Sequence, residues 1–132
     1  MGWSEMITED QMFNYIKRRY VPDLERSQEF DSWDCRSTQS RMVIELKARR
    51  NHYHELLIEK SKYESLTLTA LRTTFTAWYI NATPEGIWAF NLTKLTKPKW
   101  TDRPLPRSTD FTDTSRRIKQ VGYLRLVDGI QM

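Results

Sequence analysis

Cysteine and glycine are both scarce in this chain of 132 residues, which has one Cys and four Gly. A single thiol, Cys35, closes no internal disulfide, which suits a reducing compartment. Two histidines, His52 and His54, do not complete a four-ligand zinc site without further cysteines. Gly2, Gly86, Gly122 and Gly129 are isolated, so no glycine-rich loop cradles a phosphate. No apolar run reaches the roughly 20 residues that cross a bilayer, and the amino terminus shows no basic-then-apolar leader. The expectation is a cytoplasmic protein that makes no membrane contact.

What is present suits one domain with one core, spanning residues 1–132. Hydrophobic residues make up 39% and aromatic ones 12%, enough to exclude wholesale disorder. The net charge of +4 is unevenly spread. Up to Asp34 there are eight acids against four bases, a local charge of −4, so the remainder carries +8. A basic body beside an acidic cluster suits a polyanion-binding surface around a metal site. Ordinary solubilising charge gives the same total.

Apolar spacing predicts a helix from Glu5 to Tyr20, with Thr8 as a candidate N-cap and Pro22 beyond its end. A hairpin follows, Phe30 to Arg36 and Arg41 to Arg49, turning at Ser37-Thr38-Gln39-Ser40. Leu56-Leu57-Ile58 reads as a strand end, and Glu59 to about Thr73 as a second helix. Thr76 to Asn81 and Ile87 to Leu92 form another hairpin, aromatic and β-branched. Residues 93–115, with three prolines, read as a long basic surface loop with room for one short helix. Ile118 to Val127 closes the fold as a strand. This order predicts an α/β (or α+β) domain.

The most informative segment is Val43-Ile44-Glu45-Leu46-Lys47. Strand side chains alternate, so Glu45 and Lys47 share one face while Ile44 and Leu46 take the other. Upstream, Trp33 and Cys35 are expected to face the core with Ile44 and Leu46, which puts Asp34 on the open face with Glu45 and Lys47. Asp31 takes that place if a bulge intervenes. Two carboxylates and an amine from neighbouring strands are what metal-dependent phosphodiester hydrolysis needs. Asp34, Glu45 and the Leu46 carbonyl offer hard oxygen ligands to Mg²⁺, with Mn²⁺ as a substitute. Lys47 would orient the attacking water or neutralise charge on the phosphate. Glu45-Leu46-Lys47 is the only acid-x-Lys triplet in the chain. The competing explanation is a cross-strand ion pair on a solvated face.

These residues resemble the PD-(D/E)XK nuclease superfamily, in particular its small phage-encoded members. The resemblance runs from the first helix through Phe90. It rests on Phe30-Asp31-Ser32-Trp33-Asp34, Val43 through Arg49, Leu57 through Tyr63, and the hairpin Ala77 through Trp88. Trp33 stands where the superfamily's eponymous proline is expected. The resemblance implies a central mixed sheet flanked by helices, as in restriction endonucleases, and Mg²⁺-dependent DNA cleavage. It implies metal binding by Asp34 and Glu45 and a catalytic Lys47. It also implies a glutamate from the first helix, Glu9 or else Glu5, and a contribution from Lys62 in the second.

Arg49, Arg50, Lys60 and Lys62 flank this segment and are candidate phosphate contacts. In the long loop, Lys97, Lys99 and Trp100 are candidates for DNA binding, with the indole stacking on a base or covering the core edge. Three function classes follow: a metal-dependent endodeoxyribonuclease, active on branched or replicating DNA as a homodimer; a DNA-binding protein without chemistry; or a protein that binds another protein. Metal-dependent cleavage separates the first from the others.

Overall fold

The structure is a computed structural model that describes residues 7–28, 31, 33–106 and 116–132. Helix α1, Glu9–Arg19, begins at Thr8. The Thr8 hydroxyl accepts the Gln11 N–H at 3.1 Å, and the Gln11 side chain accepts the Thr8 N–H at 2.9 Å. This capping box satisfies two otherwise orphaned donors. Glu9 and Asp10 in the first turn and Lys17, Arg18 and Arg19 in the last complement the helix dipole. Met12, Phe13 and Ile16 form the buried stripe. The helix thus starts four residues later than its periodicity suggests. Glu5 and the dipeptide Glu29-Phe30 lie outside the described residues, as does Ser32.

Six strands form a mixed sheet. They are β1 (Glu25–Arg26), β2 (Cys35–Ser37), β3 (Met42–Ala48), β5 (Thr76–Thr83), β6 (Gly86–Asn91) and β9 (Ile130–Gln131), in the spatial order β1-β2-β3-β5-β6-β9. β3 and β5 are parallel and the other neighbours antiparallel. The crossover between β3 and β5 carries β4 (Glu55–Glu59) and helix α2 (Lys60–Thr73). A central mixed sheet with flanking helices is the architecture expected from the sequence.

Alternation along β3 feeds two cores. Ile44 and Leu46 pack with Cys35, Ile80, Ala82 and the buried stripe of α1. Val43, with Ala77 and Tyr79 of β5, packs against Leu56, Ile58, Leu66 and Ala70 from β4 and α2. The face carrying Glu45 is therefore roofed, not open as expected. Trp33 corrects a second expectation, because it joins the α2-side core while Cys35 joins the other. β2 starts only at Cys35, so the alternation assumed for Trp33 does not extend back to it.

A second sheet was not foreseen. It has the order β4-β8-β7, with β7 at Thr101–Pro106 and β8 at Arg116–Arg125. Part of the expected loop is thus an edge strand, while residues 107–115 are outside the described set. Prolines 104 and 106 are compatible with that position, because an edge strand leaves alternate N–H groups outside the ladder. No helix occurs among the described residues of 93–115.

Residues 98–100 lie close over β8: a Cβ built on Gly122 would stand 2.5 Å from the Pro98 Cβ and 3.0 Å from the Trp100 ring. Gly122→Ala should therefore destabilise the fold by about 1–3 kcal/mol, read as a lower denaturant midpoint. An unchanged midpoint would contradict this packing.

Candidate functional site

The site forms where β2 begins against β3. Asp34 immediately precedes β2, and its N–H donates to the Ile44 carbonyl at 2.9 Å. Its Oδ2 accepts the Leu46 N–H at 2.7 Å. The carboxyl is thereby locked against β3 beside Glu45, with which it shares a hydrogen bond. The N–H and C=O of one strand residue leave on the same edge, so the Leu46 carbonyl lies on the edge occupied by Asp34. Asp31 is placed differently: its Oδ2 closes a local turn by accepting the Gln28 N–H at 2.6 Å. Asp34, not Asp31, meets Glu45.

Glu45 is 13% exposed, and Lys62 Nζ from α2 lies 3.4 Å from its Oε2. Burial, followed by the Asp34 charge, pushes the Glu45 carboxyl up from the ordinary 4.5 to about 7 despite that ammonium. The same pairing raises Lys62, with Glu45 as the largest cause. Glu9, at the start of α1, feels Asp34, Lys47 and Lys62. Desolvation, then Asp34, raises its carboxyl, and the two lysines pull it back. The fold thus brings five predicted residues together: Glu9, Asp34, Glu45, Lys47 and Lys62. Lys62 is the closer ammonium to Glu45, while Lys47 is exposed further along β3 and acts on Glu9.

A cavity of about 490 Å³ opens over Asp34, Glu45 and Lys62, lined also by Ser27, Gln28, Asp31, Trp33, Ser61 and Ser65. Ser61 and Ser65 were missed by sequence reading. Their i, i+4 spacing beside Lys62 puts them on one helical face, the signal that was available. Among the described residues, no three His, Cys, Asp or Glu side chains stand close enough to hold an ion alone. The donors nevertheless suit a hard cation: two carboxyls sharing a hydrogen bond, with a backbone oxygen on the same edge. An ion such as Mg²⁺ commonly completes its shell with water and phosphate oxygens.

The other candidates fare unequally. Arg49 turns inward, with Nε donating to Asn81 Oδ1 at 2.6 Å and Nη2 to the Tyr79 hydroxyl at 3.1 Å and to the Leu57 carbonyl. Its guanidinium joins β3, β5 and β4 and is not placed to clamp a phosphate. Arg50 is exposed in the bend after β3. Lys60 opens α2, and its Nζ donates to Gln120 Oε1 at 3.1 Å. Lys97 and Lys99 are exposed before β7. Trp100 packs against Tyr63, ring centroids 5.3 Å apart, and its buried Nε1 has no hydrogen-bond partner among the described residues. The base-stacking expectation for Trp100 therefore gives way to core cover. His52 Nδ1 lies 2.9 Å from Thr83 Oγ1, and its Nε2 lies 3.4 Å from Glu85, a network outside the cavity lined by Asp34 and Glu45. Cys35 is fully buried, and burial pushes its thiol up to about 12, so it is not a nucleophile.

The mixed sheet with its flanking helices has the restriction-endonuclease-like fold. A solved structure that it resembles is Hjc from Archaeoglobus fulgidus, a Holliday junction resolvase from an archaeal hyperthermophile. The TM-score is 0.58 at 12% sequence identity, over 95% of this chain and 93% of that one. At that identity the likeness establishes the fold. No protein-family model and no curated protein matches the chain.

The raised Glu45 carboxyl has a stability consequence in metal-free protein. Its neutral form is favoured on folding, so that contribution is full below pH 4.5 and is lost as pH rises through about 7. Glu45→Gln removes the charge and should unfold at higher denaturant than the parent at pH 8 in EDTA, by about 1–3 kcal/mol. The difference should vanish near pH 4.5. A variant less stable at pH 8 would contradict the strained carboxyl pair.

Proposed function

We propose that the protein is a metal-dependent endonuclease that hydrolyses DNA phosphodiester bonds, with branched DNA as its substrate. The observation that carries this reading is the meeting of Asp34 and Glu45 at the strand edge, with Lys62, Lys47 and Glu9 around them. Hjc supports the branched-DNA part, since it shares the fold and acts on four-way junctions by its name.

In this reading Asp34, Glu45 and the Leu46 carbonyl hold a divalent cation, Mg²⁺ or Mn²⁺. The ion supplies Lewis acidity at the scissile phosphate and lowers the pKa of a water molecule. Asp34 is pre-positioned by the Leu46 N–H, so its carboxylate needs no reorganisation to bind. Lys62 offsets the negative charge that Glu45 brings to the buried pocket. Lys47 orients the water that adds to phosphorus or neutralises the phosphate as the opposite P–O bond breaks. Glu9, whose charge acts on Asp34 and both lysines, would order water beside them. Hydrolysis leaves one phosphomonoester end and one hydroxyl end. One chain carries one such site, so paired cuts across a junction call for a homodimer.

The test incubates the protein with plasmid, single strands and a four-way junction in Mg²⁺, Mn²⁺ or EDTA. Cleavage should require the metal and favour the junction. Asp34→Asn and Glu45→Ala should lower it by about 1,000-fold or more, and Lys47→Ala by about 100-fold or more. Cleavage that persists in EDTA, or in folded Glu45→Ala, contradicts the proposal. Salt-sensitive DNA binding without cleavage would favour a binding protein of this fold.

A further inference from the structure

β8 is ten residues long, but β4 pairs only with its second half, Val121 to Arg125. Its first half, Arg116 to Gln120, is paired with β7. These two segments form a two-stranded ribbon that runs past the end of β4. Apart from half-buried Leu105, the residues of β7 are exposed along its length.

Opposed residues share a ribbon face, and here Arg103 stands opposite Lys119 and Leu105 opposite Arg117. Like charges placed directly across a ladder are destabilising. Lys119 escapes this by turning to Glu59, at 2.9 Å, and is only 16% exposed there. Arg103 and Arg117 remain on the surface, the former donating to the Tyr123 hydroxyl. β7 and β8 together contain five basic residues and one acid.

The ribbon is rooted beside the candidate site. Glu59, which receives Lys119, is the N-cap of α2, and its charge reaches Lys62. The Lys60 bond to Gln120 reinforces the same junction. Two partner chemistries compete for such a ribbon. A polypeptide strand could add along the free edge of β7, but Pro104 and Pro106 deprive that strand of two N–H groups. A polyanion needs only the cationic face.

The geometry points to this ribbon as an arm that holds the phosphate backbone of duplex DNA next to the site. Arg103 and Arg117 make the phosphate contacts, and Lys119 anchors the root. The location of the cut rests on the nuclease reading above; the binding surface does not.

The experiment measures affinity of the full chain for a labelled duplex and a labelled four-way junction, in EDTA, across a salt series. Each lost phosphate contact reduces the slope of log K against log salt by about 0.9. Arg103→Gln with Arg117→Gln should reduce it by about 2 and weaken binding about tenfold at moderate salt. Arg117→Gln alone leaves the Tyr123 bond in place and should reduce it by about 1. Lysine at both positions should restore the slope. Unchanged slope and affinity in folded variants overturn the proposal, as does a parent protein with no DNA affinity at low salt. Cleavage is scored separately in Mg²⁺. Loss of the nuclease reading with an intact salt effect leaves the ribbon standing, and cleavage with no salt effect removes the ribbon alone.

Discussion

The contact between the Asp34 and Glu45 carboxyls is the constraint around which the site is arranged. Two acids brought together under a partial roof repel, and burial adds to the cost of charging Glu45. The local fold does not relax this. Asp34 is held by the Leu46 N–H, and Glu45 is fixed by the register of β3. Lys62 compensates in part, from a helix that is otherwise exposed on that side. A pair left under-compensated in this way is stabilised by any positive charge brought beside it. That is why a stabilising ion pair alone is a poor account of Glu45.

Holding the pair requires the two sheets to keep their places. β4 leads directly into α2 and so sets where Lys62 stands. Its Leu57 carbonyl accepts from both Arg49 and the Tyr79 hydroxyl, the latter at 3.1 Å. β4 is an edge strand, and carbonyls on its unpaired side have no ladder partner. Arg49 and Tyr79 fill that vacancy and tie the β4–α2 segment to β3 and β5. Full burial of the Tyr79 ring pushes its phenol up to about 12, so it remains a hydrogen-bond donor at any working pH.

Much of this was legible because it is local. Glu45 and Lys47 share a face through simple alternation, and the tight Ser37–Ser40 turn fixes the register that brings Asp34 opposite Glu45. Thr8 was a candidate cap, although apolar spacing carried the expected helix back to Glu5. What was not legible depends on long-range pairing. Nothing near Thr101–Pro106 says that it will find β8, and β4 meets β8 across more than sixty residues. Without that second sheet, Trp100 looks like a free aromatic and Arg49 like a surface cation. Trp33 failed for a different reason. Strand parity was extended through a bend, where it no longer applies.

The central claim is that Asp34 and Glu45 together hold a divalent ion. Titration of Mn²⁺ into the protein, with free ion followed by electron paramagnetic resonance, tests it most directly. The account predicts binding by the parent chain that is competed by Mg²⁺ and lost in folded Asp34→Asn and Glu45→Gln. Equal Mn²⁺ uptake by the parent and both variants would contradict it.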